Sequence, residues 1–310
     1  MTDTKLATNR IIQTANDPSS TSWGSEVRVL YRPLDSSEIR FDESNSEYHS
    51  CDRTISTSGW KKCFESIYAF YLYVILGTTP SISSAALTEG TALHDRAELS
   101  DDQWHSKYVT IPEKYLTATG RRGKEADRWI QDNASPDCVV LSPAQMAVQE
   151  GMWKALCEHR TAREYVCEPD QQEVSTRFNL HGWPTRVRPD IIKDGVCIDL
   201  KTTADTNLRK TWGRTAVKFL YHLQDYIYQR GMEVLGHEAQ PLRFVVVSKK
   251  PQLNTHEVIC CTLPQRLTEE AGRQLQLHMA DVEMRLALDH WLPEGDGECF
   301  EIECPRTWRN

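Results

Sequence analysis

The sequence predicts an α/β domain with a central mixed β-sheet flanked by helices, and three observations carry that prediction. Much of the segment 58–166 spaces its apolar residues helically. Residues 172–202 then switch to alternation with a period of two. A helix–strand–strand–helix run closes the chain.

The elements follow in order. Residues 1–55 are rich in Ser, Thr, Asn and Asp and are expected to form a partly irregular extension, with the folded domain at 56–310. "SGWKKCFESIYAFYLYVIL" (58–76) opens on a Ser cap and predicts a helix, and "SISSAALTEGTALHDRAEL" (81–99) predicts a second. Residues 100–124 read as a strand or loop ending in a Gly/Arg turn, and 123–132 as a third helix. A fourth helix is predicted over 142–166, capped by Ser142 with Pro143 at its first position. Strands are expected at 172–180, 184–193 and 196–202. They are followed by a helix ending near Gly231, two more strands, "LRFVVVSKK" and "HEVICCTL", and a long amphipathic helix from Pro264.

Composition narrows the function. A net charge of −8 argues against a surface coated for nucleic acid and leaves a localised basic groove as the alternative. Two basic runs supply candidates, "GRRGK" (120–124) and the Arg/Lys series of 201–218. The most apolar run, "SIYAFYLYVILG" (66–77), is too short to span a membrane, and the N-terminus lacks a secretory core, so a cytoplasmic protein with no membrane partner is expected. Ten scattered cysteines without a CxxC pair read as reduced thiols rather than a zinc ribbon.

The chemistry lies in "RPDIIKDGVCIDLKTT" (188–203). Asp194-Gly195 is the preferred dipeptide of a two-residue hairpin turn, which pairs Lys193 with Val196 and, counting back, Asp190 with Asp199. A second tight turn at His181-Gly182 brings Glu173 opposite Asp190. Three carboxylates are then expected across three adjacent strands on one face, with Lys201 beside them. The other face carries Val174, Phe178, Leu180, Ile191, Ile198 and Leu200. Pro189 interrupts the middle strand, so a bulge is expected there. Gathered carboxylates repel unless a cation joins them. Mg²⁺, with Mn²⁺ as a substitute, suits such oxygen ligands and leaves room for a substrate phosphate. Lys201 would orient or help deprotonate the attacking water. Taken alone, D-x-K is a common surface triplet. The second Asp, the aligned Glu and the apolar reverse face raise it above that.

"RPD", eight residues, then "DLKTT" resembles the PD-(D/E)xK nuclease signature, with Asp190, Asp199 and Lys201 at its named positions. The order "GTALH", "EVS", "RPD", "IDLKTTAD" and "QDYIY" is similar to the RecE-type exonuclease domain, exodeoxyribonuclease VIII, over about 58–295. The resemblance implies a restriction-endonuclease-like core. It implies His94 and Glu173 as further metal ligands, Asp190 and Asp199 as metal-binding catalytic residues, the Leu200 carbonyl as a ligand, and Lys201 serving the nucleophile. Gln224 and Tyr228 match its QxxxY element and share one helix face. Arg188 is a candidate to bind phosphate or steady Asp190. Arg121, Arg122, Lys124, Arg209, Lys210, Arg214 and Lys218 are candidates to grip a nucleic-acid backbone, although each alone reads as a solvated charge.

The implied activity is a metal-dependent 5′–3′ exonuclease on double-stranded DNA ends, serving recombination or phage DNA processing. A homo-oligomer and a single-strand annealing partner are implied with it. Two alternatives remain. One is an iron–sulfur nuclease of the same superfamily, using Cys63, Cys260, Cys299 and Cys304. The other is a non-catalytic DNA-binding scaffold that keeps the fold.

Overall fold

The computed structural model describes residues 31–50, 53–78, 85–117, 122–135, 137–293 and 299. The first elements are short: β1 (Glu38–Arg40), α1 (Asn45–His49) and β2 (Ile55–Ser56). A capping box between Ser44 and Glu47 starts α1. The helix expected over 58–76 is divided. α2 (Thr57–Glu65) stops at Ser66, whose extended backbone frees its hydroxyl to accept from Ala69 N and cap α3 (Ile67–Phe70). A π-helical turn, Tyr71–Ile75, continues it.

α4 (Ala85–Glu98) falls inside its expected range. The next segment is helical before it is extended, because Ser100 and Gln103 form a capping box that starts α5 (Asp101–Lys107). β3 (Tyr108–Thr110), α6 (Lys124–Asn133), β4 (Val139–Leu141) and α7 (Pro143–Glu158) follow, and β3 and β4 pair in parallel. Ser142 and Pro143 start α7 as predicted. The expected continuation to 166 breaks at His159, whose ring accepts from Ala162 N and caps α8 (Arg160–Cys167).

Then come β5 (Gln171–Gln172), β6 (Ser175–Leu180), β7 (Trp183–Val187), β8 (Ile191–Lys193) and β9 (Val196–Thr203). Two helices, α9 (Leu208–Lys218) and α10 (Tyr221–Val234), are separated by a left-handed Leu220. β10 (Arg243–Gln252), β11 (Thr255–Cys261) and α11 (Gln265–Leu288) complete the order. Both tight turns lie where expected: Leu180 pairs with Trp183, and Lys193 with Val196. All four turn residues have positive φ, as a type I′ turn requires.

The strands do not form one continuous sheet, which corrects the three-strand face expected above. β6 and β7 belong to a four-stranded sheet ordered β1-β6-β7-β2. β5, β8 and β9 belong to a five-stranded mixed sheet ordered β11-β10-β9-β8-β5, in which β9 and β10 run parallel. The division falls at Pro189. The chain leaves β7 at Val187 and resumes pairing at Ile191, because proline has no N–H to give to a ladder. Opposite it, Glu173 adopts a left-handed φ of 51° between β5 and β6. The register survives this seam. Thr176 pairs with Val187 on one side and Gln172 with Ile191 on the other, and Glu173 N donates to the Asp190 carbonyl at 3.3 Å.

The seam also divides the expected apolar face. Val174, Phe178 and Leu180 enter a core with α2, α10 and α11. Ile191, Ile198 and Leu200 enter a second core with Leu93 of α4, Met152 and Leu156 of α7, and α8. α10 packs against β6, β7 and β9, so it sits in the corner between the two sheets. Among the described residues no helix is long and apolar enough to cross a membrane.

Candidate active site

The seam gathers the acidic residues. Asp190 follows Pro189 in the gap between β7 and β8, and Leu200 N donates to its Oδ2 at 2.8 Å. His94, on α4, places Nδ1 3.5 Å from the same oxygen. Glu173 completes the group: one ligand atom from each of His94, Glu173 and Asp190 lies within 4.8 Å of the others. Neighbouring ligands of an octahedral magnesium stand about 3 Å apart and opposite ones about 4.2 Å, so the three groups would have to draw together to share one ion. Leu200 lines the same crevice.

Burial and mutual charge set the protonation of this group. Burial pushes the Glu173 carboxyl up to about 7, and the neighbouring Asp190 charge adds to the shift. Burial opposes charge on His94, but Asp190 outweighs it and holds the imidazole at about 9. Burial likewise opposes charge on Asp190, yet His94, Lys201 and the Leu200 N–H keep it below the usual carboxylate value. The imidazolium thus supplies positive charge between the acids. A divalent ion would take over that task and release the histidine proton. An imidazole with two carboxylates fits a hard to borderline divalent cation.

Asp199 stands apart from that trio. Its side chain is on the face of β9 turned toward α10, where Oδ1 accepts from Gln224 Nε2 at 2.5 Å and Oδ2 pairs with Lys201. Burial raises its pKa and Lys201 opposes the shift. For Lys201 itself, burial is outweighed by Asp199 and Asp190, which raise its pKa. Lys201 is therefore held as an ammonium, a form suited to stabilising negative charge rather than to accepting a proton.

Other expected residues are placed as follows. Arg188 Nε pairs with Glu173 Oε2 at 2.6 Å rather than with Asp190, while its Nη2 donates to Asn45 and its guanidinium lies over Tyr48. Gln224 and Tyr228 share the buried face of α10 as the spacing predicted, and Tyr228 donates to the Arg188 carbonyl at 3.2 Å. Both polar ends are thus engaged within the protein. Arg209, Lys210, Arg214 and Lys218 are exposed on α9. Lys124 is exposed at the start of α6, and Arg122 pairs with Asp127 at 2.5 Å. Arg121 lies outside the described residues, as does Cys304 of the proposed cluster. Among the described residues no three cysteines form a ligand group.

Sequence reasoning missed Tyr221 of α10, whose ring lies by Lys201, and Lys61 of α2, which approaches the same ring. A "KK" pair at the start of an amphipathic helix reads as solvated surface. It also missed Gln172, which donates to the Ala97 carbonyl at 2.9 Å and ties α4 to β5.

Comparison with known proteins agrees with this geometry. The sequence model of a family described as "PDDEXK-like domain of unknown function (DUF3799)" matches residues 56–304. Among solved structures, a "Putative exonuclease" from Eubacterium rectale is similar in fold, with a TM-score of 0.54 at 16% identity over 86% of this chain and 96% of that one. No curated protein matches the chain.

Proposed function

Because this chain belongs to that PDDEXK-like family, we propose that it is a metal-dependent deoxyribonuclease, and within that class a 5′–3′ exonuclease on linear double-stranded DNA. The observation that carries the proposal is the convergence of His94, Glu173 and Asp190 beside the Asp199–Lys201 pair. The finer proposal, including a role in recombination or phage DNA processing, rests on the resemblance of "RPD…DLKTT" and "QDYIY" to the RecE type. A single-strand annealing partner and a homo-oligomer belong to it too.

His94, Glu173 and Asp190 would hold the metal, which we take to be magnesium with manganese as a substitute. The bound ion supplies activation of water and charge for the developing oxyanions. The remaining work belongs to the chain. The Leu200 N–H fixes the Asp190 carboxylate, and Arg188 fixes Glu173. Gln224 fixes Asp199, which holds Lys201 as a cation facing the reacting phosphate.

Purified protein is incubated with linear and circular duplexes, labelled at the 5′ or the 3′ end, with magnesium. Hydrolysis of the linear duplex from its 5′ end by wild type is expected. Lys201→Ala is expected to be slower by about 10²-fold or more at a temperature where circular dichroism shows it still folded, since the change leaves the buried Asp199 without its cation. Equal inertness of both proteins would favour the scaffold, and cutting of circles would remove the end requirement.

A further inference from the structure

One cation beside the site lacks a counter-charge. Lys61 is half-buried, with Nζ 4.9 Å from the centre of the Tyr221 ring, and Lys201 Nζ is 5.1 Å from the same centre. Two ammonium groups therefore share one ring at the first turn of α10. Their surroundings differ. Lys201 is matched by Asp199, whereas Lys61 has no carboxylate within ion-pair distance among the described residues. The adjacent Lys62, by contrast, has a carboxylate partner in Glu65 at 2.7 Å and lies over the Tyr73 ring.

A partly desolvated ammonium that shares a ring with a second one is costly unless an anion neutralises it. The Tyr221 ring face offsets part of that cost. Burial and then Lys201 push the Lys61 amine down to about 7. His222, next to Tyr221, has Nδ1 buried without a hydrogen-bond partner. Burial and the Lys61 charge together hold its ring below the usual histidine value. A corner that holds two lysines and a single matching carboxylate, Asp199, has room for a further negative charge. Because Lys61 and Lys201 approach the same Tyr221 ring, this corner lies on the Lys201 side of the site.

Resting on the nuclease reading above, we propose that Lys61, beside Lys201 at the Tyr221 ring, forms an anion subsite that takes a phosphodiester of the bound nucleic acid neighbouring the one that is cut. A phosphate there would neutralise Lys61 and add a charge-assisted contact that places the strand. Lys61 is thus a binding residue for the strand, distinct from the ligands of the metal.

The test uses the full chain and a fluorescently labelled duplex. Binding is read by anisotropy in EDTA and cleavage in magnesium. Lys61→Met is expected to weaken binding and raise KM by about tenfold, with kcat nearly unchanged and a melting temperature equal to or above that of wild type, because the charge it removes is unfavourable in the free protein. Lys61→Arg is expected to restore most of the affinity. A second readout needs no variant: acylation with an amine-reactive reagent, followed by mass spectrometry, should show duplex protecting Lys61 while Lys62 stays reactive. If wild type cleaves DNA but Lys61→Met binds equally well, or Lys61 is labelled equally with and without duplex, the subsite is wrong and the nuclease reading stands. If wild type neither binds nor cleaves duplex, both fall.

Discussion

Glu173 carries two unfavourable features at once: a left-handed backbone and a carboxyl that burial and Asp190 raise to about 7. The first costs about 1–2 kcal/mol for a residue other than glycine. The second has a definite pH signature. The folded value lies above the 4.5 of a free glutamate, so the folded state binds the proton more tightly. The stability this contributes is present below 4.5 and is lost as pH rises through about 7. In metal-free protein, the melting temperature of Glu173→Gln minus that of wild type is therefore expected to grow between about pH 5 and 8. Magnesium should stabilise wild type and leave Glu173→Gln unmoved in the same melts. At this scale the sequence was legible where a turn fixed the count. Asp194-Gly195 and His181-Gly182 set the register that brings Glu173 against Asp190. The left-handed Glu173, the Arg188 partner and Lys61 were not legible. Each depends on a neighbour far away in the chain.

α10 holds Gln224 against Asp199, and two glycines decide how closely it packs. A Cβ on Gly231 would lie 2.3 Å from Val187 Cγ2, and one on Gly272 of α11 would lie 2.3 Å from Tyr226 Cε2. Gly231→Ala must push α10 away from β7, at a cost of about 1–3 kcal/mol. Because Gln224 moves with the helix, DNA hydrolysis is expected to fall as well. Gly213, on the exposed face of α9, has nothing within 4 Å of its Cβ position, and Gly213→Ala is expected to stabilise by up to about 1 kcal/mol. Chemical denaturation of the two variants checks the contrast. The apolar spacing foretold where helices occur but not where they divide. Ser66, His159 and Leu220 interrupt runs whose spacing continues, because a serine or histidine cap, or a left-handed residue, is a local choice that periodicity does not record.

Across the whole molecule, the segment before the matched family region is attached through charge. Glu43 Oε1 lies 2.8 Å from Arg40 and 2.5 Å from Arg177 of β6, and the Glu43 and Arg177 side chains are both almost fully buried. Glu43→Gln removes the carboxylate from a buried guanidinium and is expected to cost about 3–5 kcal/mol in a denaturation experiment. The α/β class and the mixed sheet were legible from the order of periodicities. The split into two sheets was not, because a proline announces a break without saying where the chain goes next. That joint has a mechanical consequence. Its donors sit on different pieces of the chain: His94 on a helix moored to β5 through Gln172 and to β10 through the Glu89–Lys249 pair, and Glu173 and Asp190 on the paired β5–β6 and β7–β8 connections that run from one sheet to the other. A seated cation would act as a rivet through all three. Loading magnesium should slow amide exchange at Glu173 and Ile191 far more than in α9, and a wedge that widens the angle between the sheets should loosen the ion from a distance.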